Sequence, residues 1–227
     1  MSPELRRPQL ESFIMIESES VRYLYFGNLA PREQQYKSGL FYGLTPHPEA
    51  DHDIRHDARD PLPFADASVM AVQSQDVFEH IEYDRIPFVF DEIFRCLMPG
   101  GSFRLSLPDY NCPLLKSRSV YDADGNVLYD AAMGGSVVGK INGGVEVTFP
   151  LGGKAHLWFP TCCNVTALIL KSQIRKSSSI DFHHAWIDAK RYVCNEFDQT
   201  IMPVRRCPPN DMRADGMPIS IVVDFIK

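Results

Sequence analysis

The segment that most narrows the possible folds runs from Val69 to Asp109. "VMAVQSQDVF" is an apolar, strand-like run leading into a helix start, and "YDRIPFVFDEIFRCLMPGG" follows closely. In the second stretch Ile86, Val89, Phe90, Ile93, Phe94 and Leu97 recur at the spacing of one helix face. Pro99, Gly100 and Gly101 form a breaker cluster expected to stop that helix. "SFRLSLPD" then reads as a strand. Strand, helix and strand in close succession call for a crossover, and so for parallel strands with helices on the faces of the sheet.

The rest of the chain extends this rhythm. "VRYLYFG" and "GLFYGLT" are strand candidates, and a short strand is expected near Asp53–His56. "PTCCNVTALILKSQI" resumes as a helix with Thr161 as N-cap, and "SIDFHHAWID" and "SISIVVDFIK" read as closing strands. Residues 1–20 are a polar lead-in. Residues 110–155, rich in glycine and turn residues, are too long for an ordinary connection and are expected to form an inserted hairpin or lid. A length of 227 residues, 44% hydrophobic with 14 Phe, suits one α/β domain with this insertion.

The chain carries a formal charge of -6. An acidic surface argues against nucleic-acid or membrane-surface partners. No apolar run reaches the length of a bilayer span, and the first residues lack an apolar signal core. The six cysteines, at 96, 112, 162, 163, 194 and 207, include no CxxC pair and are expected to be reduced thiols. A cytoplasmic setting is the resulting expectation. Nothing in the sequence fixes an oligomeric state.

Residues 57–109 carry a more specific pattern. Asp57 with "LPF", then "FEHI", then a helix ending in "LMPGG" before a strand, resembles the class I S-adenosylmethionine-dependent methyltransferases, closest to the type 11 branch. "HLWFPTCCNVTALI" resembles that family's segment before its last crossover helix. The resemblance implies a Rossmann-like, seven-stranded, mostly parallel sheet with helices on both faces and an antiparallel last strand. It implies S-adenosyl-L-methionine as cofactor, held where ligands of open α/β sheets sit, at the carboxyl ends of the strands. The positions then concerned are Phe26, Gly27 and Asn28 in the first turn, and Thr45 after the second strand. Asp57 and Ala58 follow in the third loop, and Ser74, Gln75 and Asp76 at the fourth strand end. Asp57 would accept from the adenine amino group, with Leu62 or Phe64 against the ring.

Two departures stand out. The first turn holds one glycine, with Asn28 as a substitute tolerant of left-handed dihedrals. The second strand ends in Leu44-Thr45, where the family places an acid for the ribose.

Catalytic candidates are His80, Asp109 and His156, each with a structural alternative. His80, with Glu79, could instead begin the helix, Asp109 could cap the "PDYN" turn, and His156 could bond backbone under a lid. The "HPEADHDIRHD" run, with His47, His52 and His56, lacks the helical pattern needed to converge on an ion, and no metal site is expected. The leading reading is methyl transfer to a hydroxyl or amine of a small molecule, such as a sugar or secondary metabolite. A catalytically inactive binding or scaffold protein is the alternative. A nucleotide-sugar-modifying enzyme ranks last, because no phosphate loop or nucleophile elbow is present.

Overall fold

The computed structural model describes residues 23–135, 138–141, 145–148, 155–188, 190–207 and 218–227; the lead-in at 1–20 and parts of the 110–155 insertion lie outside them. β1 (Tyr23–Phe26), β2 (Phe41–Thr45), β3 (Asp53–Arg55), β4 (Val69–Gln75) and β5 (Leu97–Pro108) lie parallel. Within the insertion, α3 (Pro113–Lys116) leads into β6 (Ser119–Tyr121), β7 (Val127–Asp130) and β8 (Gly134–Gly135), which form a small sheet, and β9 (Val138–Ile141) and β10 (Val145–Thr148) form a ladder. β11 (Ser179–Trp186), β12 (Tyr192–Cys194) and β13 (Ser220–Ile226) complete the main sheet.

That sheet runs β3-β2-β1-β4-β5-β13-β11-β12. It has eight strands, not the expected seven, because β12 adds an edge to β11. The last strand is antiparallel as expected, and it is inserted between β5 and β11. The order reverses direction between β1 and β4, which opens a crevice at their carboxyl ends.

One face is apolar and covered by helices. Alternation puts Leu24 and Phe26 of β1, Phe103 and Leu105 of β5, and Val223 and Phe225 of β13 on it. Against them pack α2 (Ile86–Cys96), through Val89, Phe90 and Ile93, and α4 (Cys162–Lys171), through Val165, Leu168 and Ile169. Thr161 caps α4 reciprocally with Asn164, as a capping box. Leu62 and Phe64 belong to this core, 5% and 2% exposed, so neither offers a ring face to a ligand.

α2 ends earlier than its sequence suggests. β5 begins at Leu97, and the Pro99-Gly100-Gly101 cluster shapes a bend at the strand's entry rather than capping the helix. A Cβ at Gly101 would sit 2.9 Å from Met98 O and 3.1 Å from Met70 O, so the β4–β5 approach requires glycine there.

The opposite face departs from the expected second helical layer. α1 (Gln34–Ser38) is only five residues long, and irregular chain around 197–207 covers the rest. Irregular backbone buries carbonyls that need donors, and polar residues supply them. Gln35 and Gln73 both donate to Pro203 O, and Arg104 donates to Asp198 O and Met202 O. Arg104 also forks onto Asp224 at 2.7 and 2.6 Å. Among the described residues, no helix is long and apolar enough to cross a membrane.

Candidate functional site

The first turn leaves β1 at Gly27, whose φ of +113° disfavours any side chain. Its N–H donates to Leu44 O at 2.9 Å. Asn28 does not take the left-handed role proposed for it. Among the described non-glycine residues, positive φ occurs at Ala67 and Asp76. The turn is braced instead by Asp53, which the sequence did not suggest. Asp53 Oδ1 accepts from Leu29 N, and Oδ2 accepts from Glu49 N and Ala50 N. An acid thus reaches the first turn from β3, although β2 ends without one.

Phe26 is buried against Phe78, so only its backbone faces the crevice. Thr45 is buried, with Oγ1 accepting from His47 N at 3.2 Å. Asp57 is held by its neighbour: Arg59 Nε and NH2 donate to its two oxygens at 2.9 and 2.6 Å, which lowers the carboxyl pKa to about 2. Ala58 packs against the core. At the end of β4, Asp76 is left-handed at φ +54°, and Gln75 Oε1 accepts from Arg205 N. Asp76 Oδ2 lies 3.2 Å from Arg206 NH2. Asp76 Oδ1 and Ser74 Oγ are buried with no hydrogen-bond partner. Burial raises the Asp76 pKa, against the pull of Arg206 and Arg205.

Beyond Asp76 the chain makes a single tight turn, Phe78–His80, which presents Glu79 and His80. The segment after the insertion docks on it: Leu157 N donates to Glu79 O at 2.8 Å, and Trp158 Nε1 to Phe78 O at 2.9 Å. This docking brings His156 to His80, with ring centroids 4.9 Å apart. Glu79 is 1% exposed, and neither of its oxygens has a hydrogen-bond partner. His80 Nε2 stands 3.9 Å and His156 Nε2 3.8 Å from Glu79 Oε1.

The other imidazole nitrogens are engaged. His80 Nδ1 lies 3.0 Å from Ala155 O, which can only accept, so Nδ1 carries the proton. His156 Nδ1 lies 2.7 Å from Tyr110 Oη, and Tyr110 spends its own proton on Asp130 Oδ2 at 2.7 Å. Asp130 also accepts from Arg118 Nε. His156 Nδ1 is therefore a donor too, and both Nε2 atoms present lone pairs. Burial, then neighbouring His80, lowers the His156 pKa to about 3, too weak for a general base near neutral pH. Burial and the nearby Asp76 carboxylate push Glu79 well above the carboxylate range.

Asp109 takes its structural role. Its oxygens accept from Asn111 N at 2.9 Å and Trp186 N at 2.6 Å, and the side chain does not reach the histidine pair through any hydrogen bond. Burial raises its pKa to about 6. The structure thus unites His80 and His156, adds Glu79 to them, and sets Asp109 apart.

Two cavities flank this region. One of about 380 Å³ lies between Arg32–Gln35 and Pro203–Arg205, beside the first turn. Another, of about 490 Å³, is lined by Tyr110, Tyr121 and Asn126 from the β5 end and insertion, and by Leu157, Phe159 and Asn164.

The family model described as "Methyltransferase domain" matches residues 42–105, from β2 into β5. A curated protein of Mycolicibacterium smegmatis, named as a probable S-adenosylmethionine-dependent methyltransferase, is 47% identical over 57 residues. Those residues are 25% of this chain and 21% of that protein, so the match spans about a fifth of the relative's length. Among solved structures, a Listeria monocytogenes protein assigned as an S-adenosylmethionine-dependent methyltransferase is 13% identical over 94% of this chain and 93% of its own, with a TM-score of 0.45. An S-adenosylmethionine-dependent methyltransferase from Mesorhizobium loti is 12% identical over 94% of each chain, with a TM-score of 0.41. Residues 42–105 are thus similar in sequence to methyltransferase domains, and the 57-residue match is to an S-adenosylmethionine-dependent one.

Proposed function

We propose that this chain is an S-adenosylmethionine-dependent methyltransferase that acts on a hydroxyl or amine of a small molecule, such as a sugar or secondary metabolite. The observation that carries the reading is at the switch point of the sheet. Ser74 Oγ and Asp76 Oδ1 end β4 buried and unpartnered, beside a turn whose Gly27 φ of +113° lets backbone come close. Buried polar atoms without partners are costly, and a ligand with donors and acceptors would satisfy them. The residues therefore fit the cofactor: Gly27 and Asn28 would hold it by backbone, with Thr45, Asp57, Ala58, Ser74, Gln75 and Asp76 around it.

When bound, the cofactor supplies an activated methyl group, so the protein need only orient the acceptor and handle its proton. The insertion-lined cavity supports an acceptor site, with the 110–155 segment as the determinant of specificity in a single domain. Of the three catalytic candidates, His80 and His156 adjoin that region through the 155–159 segment, and Asp109 serves as a brace.

A second reading, binding without turnover, draws on the Asp57–Arg59 and Asp76–Arg206 pairs, which engage two cofactor-facing carboxylates. Calorimetric titration with S-adenosylhomocysteine tests both. Saturable heat that Gly27→Val abolishes supports the cofactor site, and no heat at millimolar ligand sinks it. Release of S-adenosylhomocysteine from S-adenosylmethionine with any acceptor excludes the second reading.

A further inference from the structure

We propose that Glu79, His80 and His156 form a binding site for one first-row divalent cation of the zinc class. Their ligand atoms lie within 4.8 Å of one another. Both Nδ1 atoms donate elsewhere, to Ala155 O and Tyr110 Oη, so both Nε2 atoms face inward as acceptors. The third group is the Glu79 carboxyl, 1% exposed and unpartnered at both oxygens. Three acceptors meet, and none of the three supplies an inward donor unless Glu79 is protonated.

A proton on Glu79 does not resolve this. The gaps to the two nitrogens are 3.8 and 3.9 Å, beyond hydrogen-bond reach. A cation does. Imidazole nitrogens bind zinc at about 2.1 Å and carboxylate oxygens similarly, which puts tetrahedral ligand atoms roughly 3.4 Å apart. Each Glu79–histidine gap would close by about half an ångström onto such an ion, and no pair of ligand atoms starts more than 4.8 Å apart.

The surroundings match as well. Metal-bound histidines characteristically donate their second nitrogen to a carbonyl or a carboxylate-linked group, which fixes ring orientation. His80 does so to Ala155 O, and His156 through Tyr110 to Asp130, itself tied to Arg118. Two imidazoles with one carboxylate suit zinc, iron or cobalt better than magnesium or calcium, which prefer all-oxygen shells. Three protein ligands leave open coordination positions, and the His80 side chain, 32% exposed, connects the cluster to solvent. Those positions would take oxygen ligands, either water or a hydroxyl of the acceptor. The acceptor hydroxyl rests on the methyltransferase reading; the cation site stands without it.

The full chain, stripped with a chelator, is titrated with Co²⁺ by visible absorption and with Zn²⁺ against a chromophoric competitor. One equivalent is expected to bind. Glu79→Gln and His156→Ala should each lower affinity at least tenfold, and Tyr110→Phe by roughly 10–100-fold, the range for outer-shell partners. His47→Ala, in the exposed histidine-rich loop, should leave binding unchanged. Glu79→Gln also serves as its own folding control. It should melt no lower than the metal-free parent and lose the parent's rise of roughly 5–10 °C at saturating zinc. Absence of saturable uptake overturns the site, as does uptake reduced by His47→Ala but not by Glu79→Gln. Intact S-adenosylhomocysteine binding without metal uptake would sink this inference alone.

Discussion

The Asp53 carboxylate fills the space that a side chain at Gly43 would occupy. A Cβ on Gly43 would lie 2.3 Å from Asp53 Oδ1 and 2.8 Å from Gly27 O. The missing side chain on β2 lets an acid from β3 reach under the first turn and hold Leu29 N. Gly43→Ala should therefore destabilise the fold by roughly 2–3 kcal/mol, the upper range for overpacking. It should also weaken binding of S-adenosylhomocysteine by displacing the turn. Urea unfolding and calorimetry measure the two effects, and an alanine variant with the parent's midpoint would show that Asp53 moves aside freely.

Asp109 makes a pH prediction whose sign follows from its raised pKa. The group titrates near 6 in the folded chain, pushed up by burial, and near 3.9 unfolded. Between those values the folded state holds more protons than the unfolded one, so rising pH lowers stability across that window. The loss should be on the order of 2–3 kcal/mol and complete above pH 6. Asp109→Asn should flatten this segment of the stability curve, as measured by urea midpoints from pH 4 to 7. A variant with the parent's slope would assign the dependence to another group.

Arg104 ties the polar face together, with its side chain 4% exposed. Arg104→Met should cost about 3–5 kcal/mol, because it leaves Asp224 with His183 alone and strands the carbonyls of Asp198 and Met202. Arg104→Met with Asp224→Leu should recover part of that loss, since no lone charge remains. Denaturant unfolding of both variants checks the order.

Trp158 locks the 155–159 segment onto the turn carrying Glu79. Trp158→Phe should cost about 1 kcal/mol, by removing one of the two hydrogen bonds on Phe78 O, which keeps Ile81 N. Hydrogen exchange at Leu157 N, which bonds Glu79 O, should accelerate with it. Unchanged exchange would mean that the Leu157 bond alone holds the two segments.

The sheet was legible wherever local pattern and global role agreed. β1, β2, β4 and β5 announce themselves by short apolar runs, α2 by its apolar stripe, and α4 by Thr161. What escaped is tertiary. β12 is three residues whose strand character comes from pairing with β11. The cover at 197–207 has no periodicity, and its place is set by Gln35, Gln73 and Arg104 reaching its carbonyls. In the site, His80 and His156 were visible as candidates, but Glu79 read as a residue of the helix start. Its convergence with His156 depends on the Leu157–Glu79 backbone bond, which no local pattern encodes. Asp53 was hidden for the same reason: its role exists only across Gly43 of the neighbouring strand.

The position of β13 has a consequence for synthesis. A ribosome delivers residues 23–194 before 220–226, so β5 and β11 emerge with the strand between them missing. Both present unpaired edges during that interval, the kind of surface that recruits other chains. Completion comes in one late step, when Ile221, Val223 and Phe225 enter the apolar face as Asp224 meets Arg104 on the other. Nascent chains stalled before residue 220 should therefore depend on chaperones far more than chains in which 220–226 have emerged.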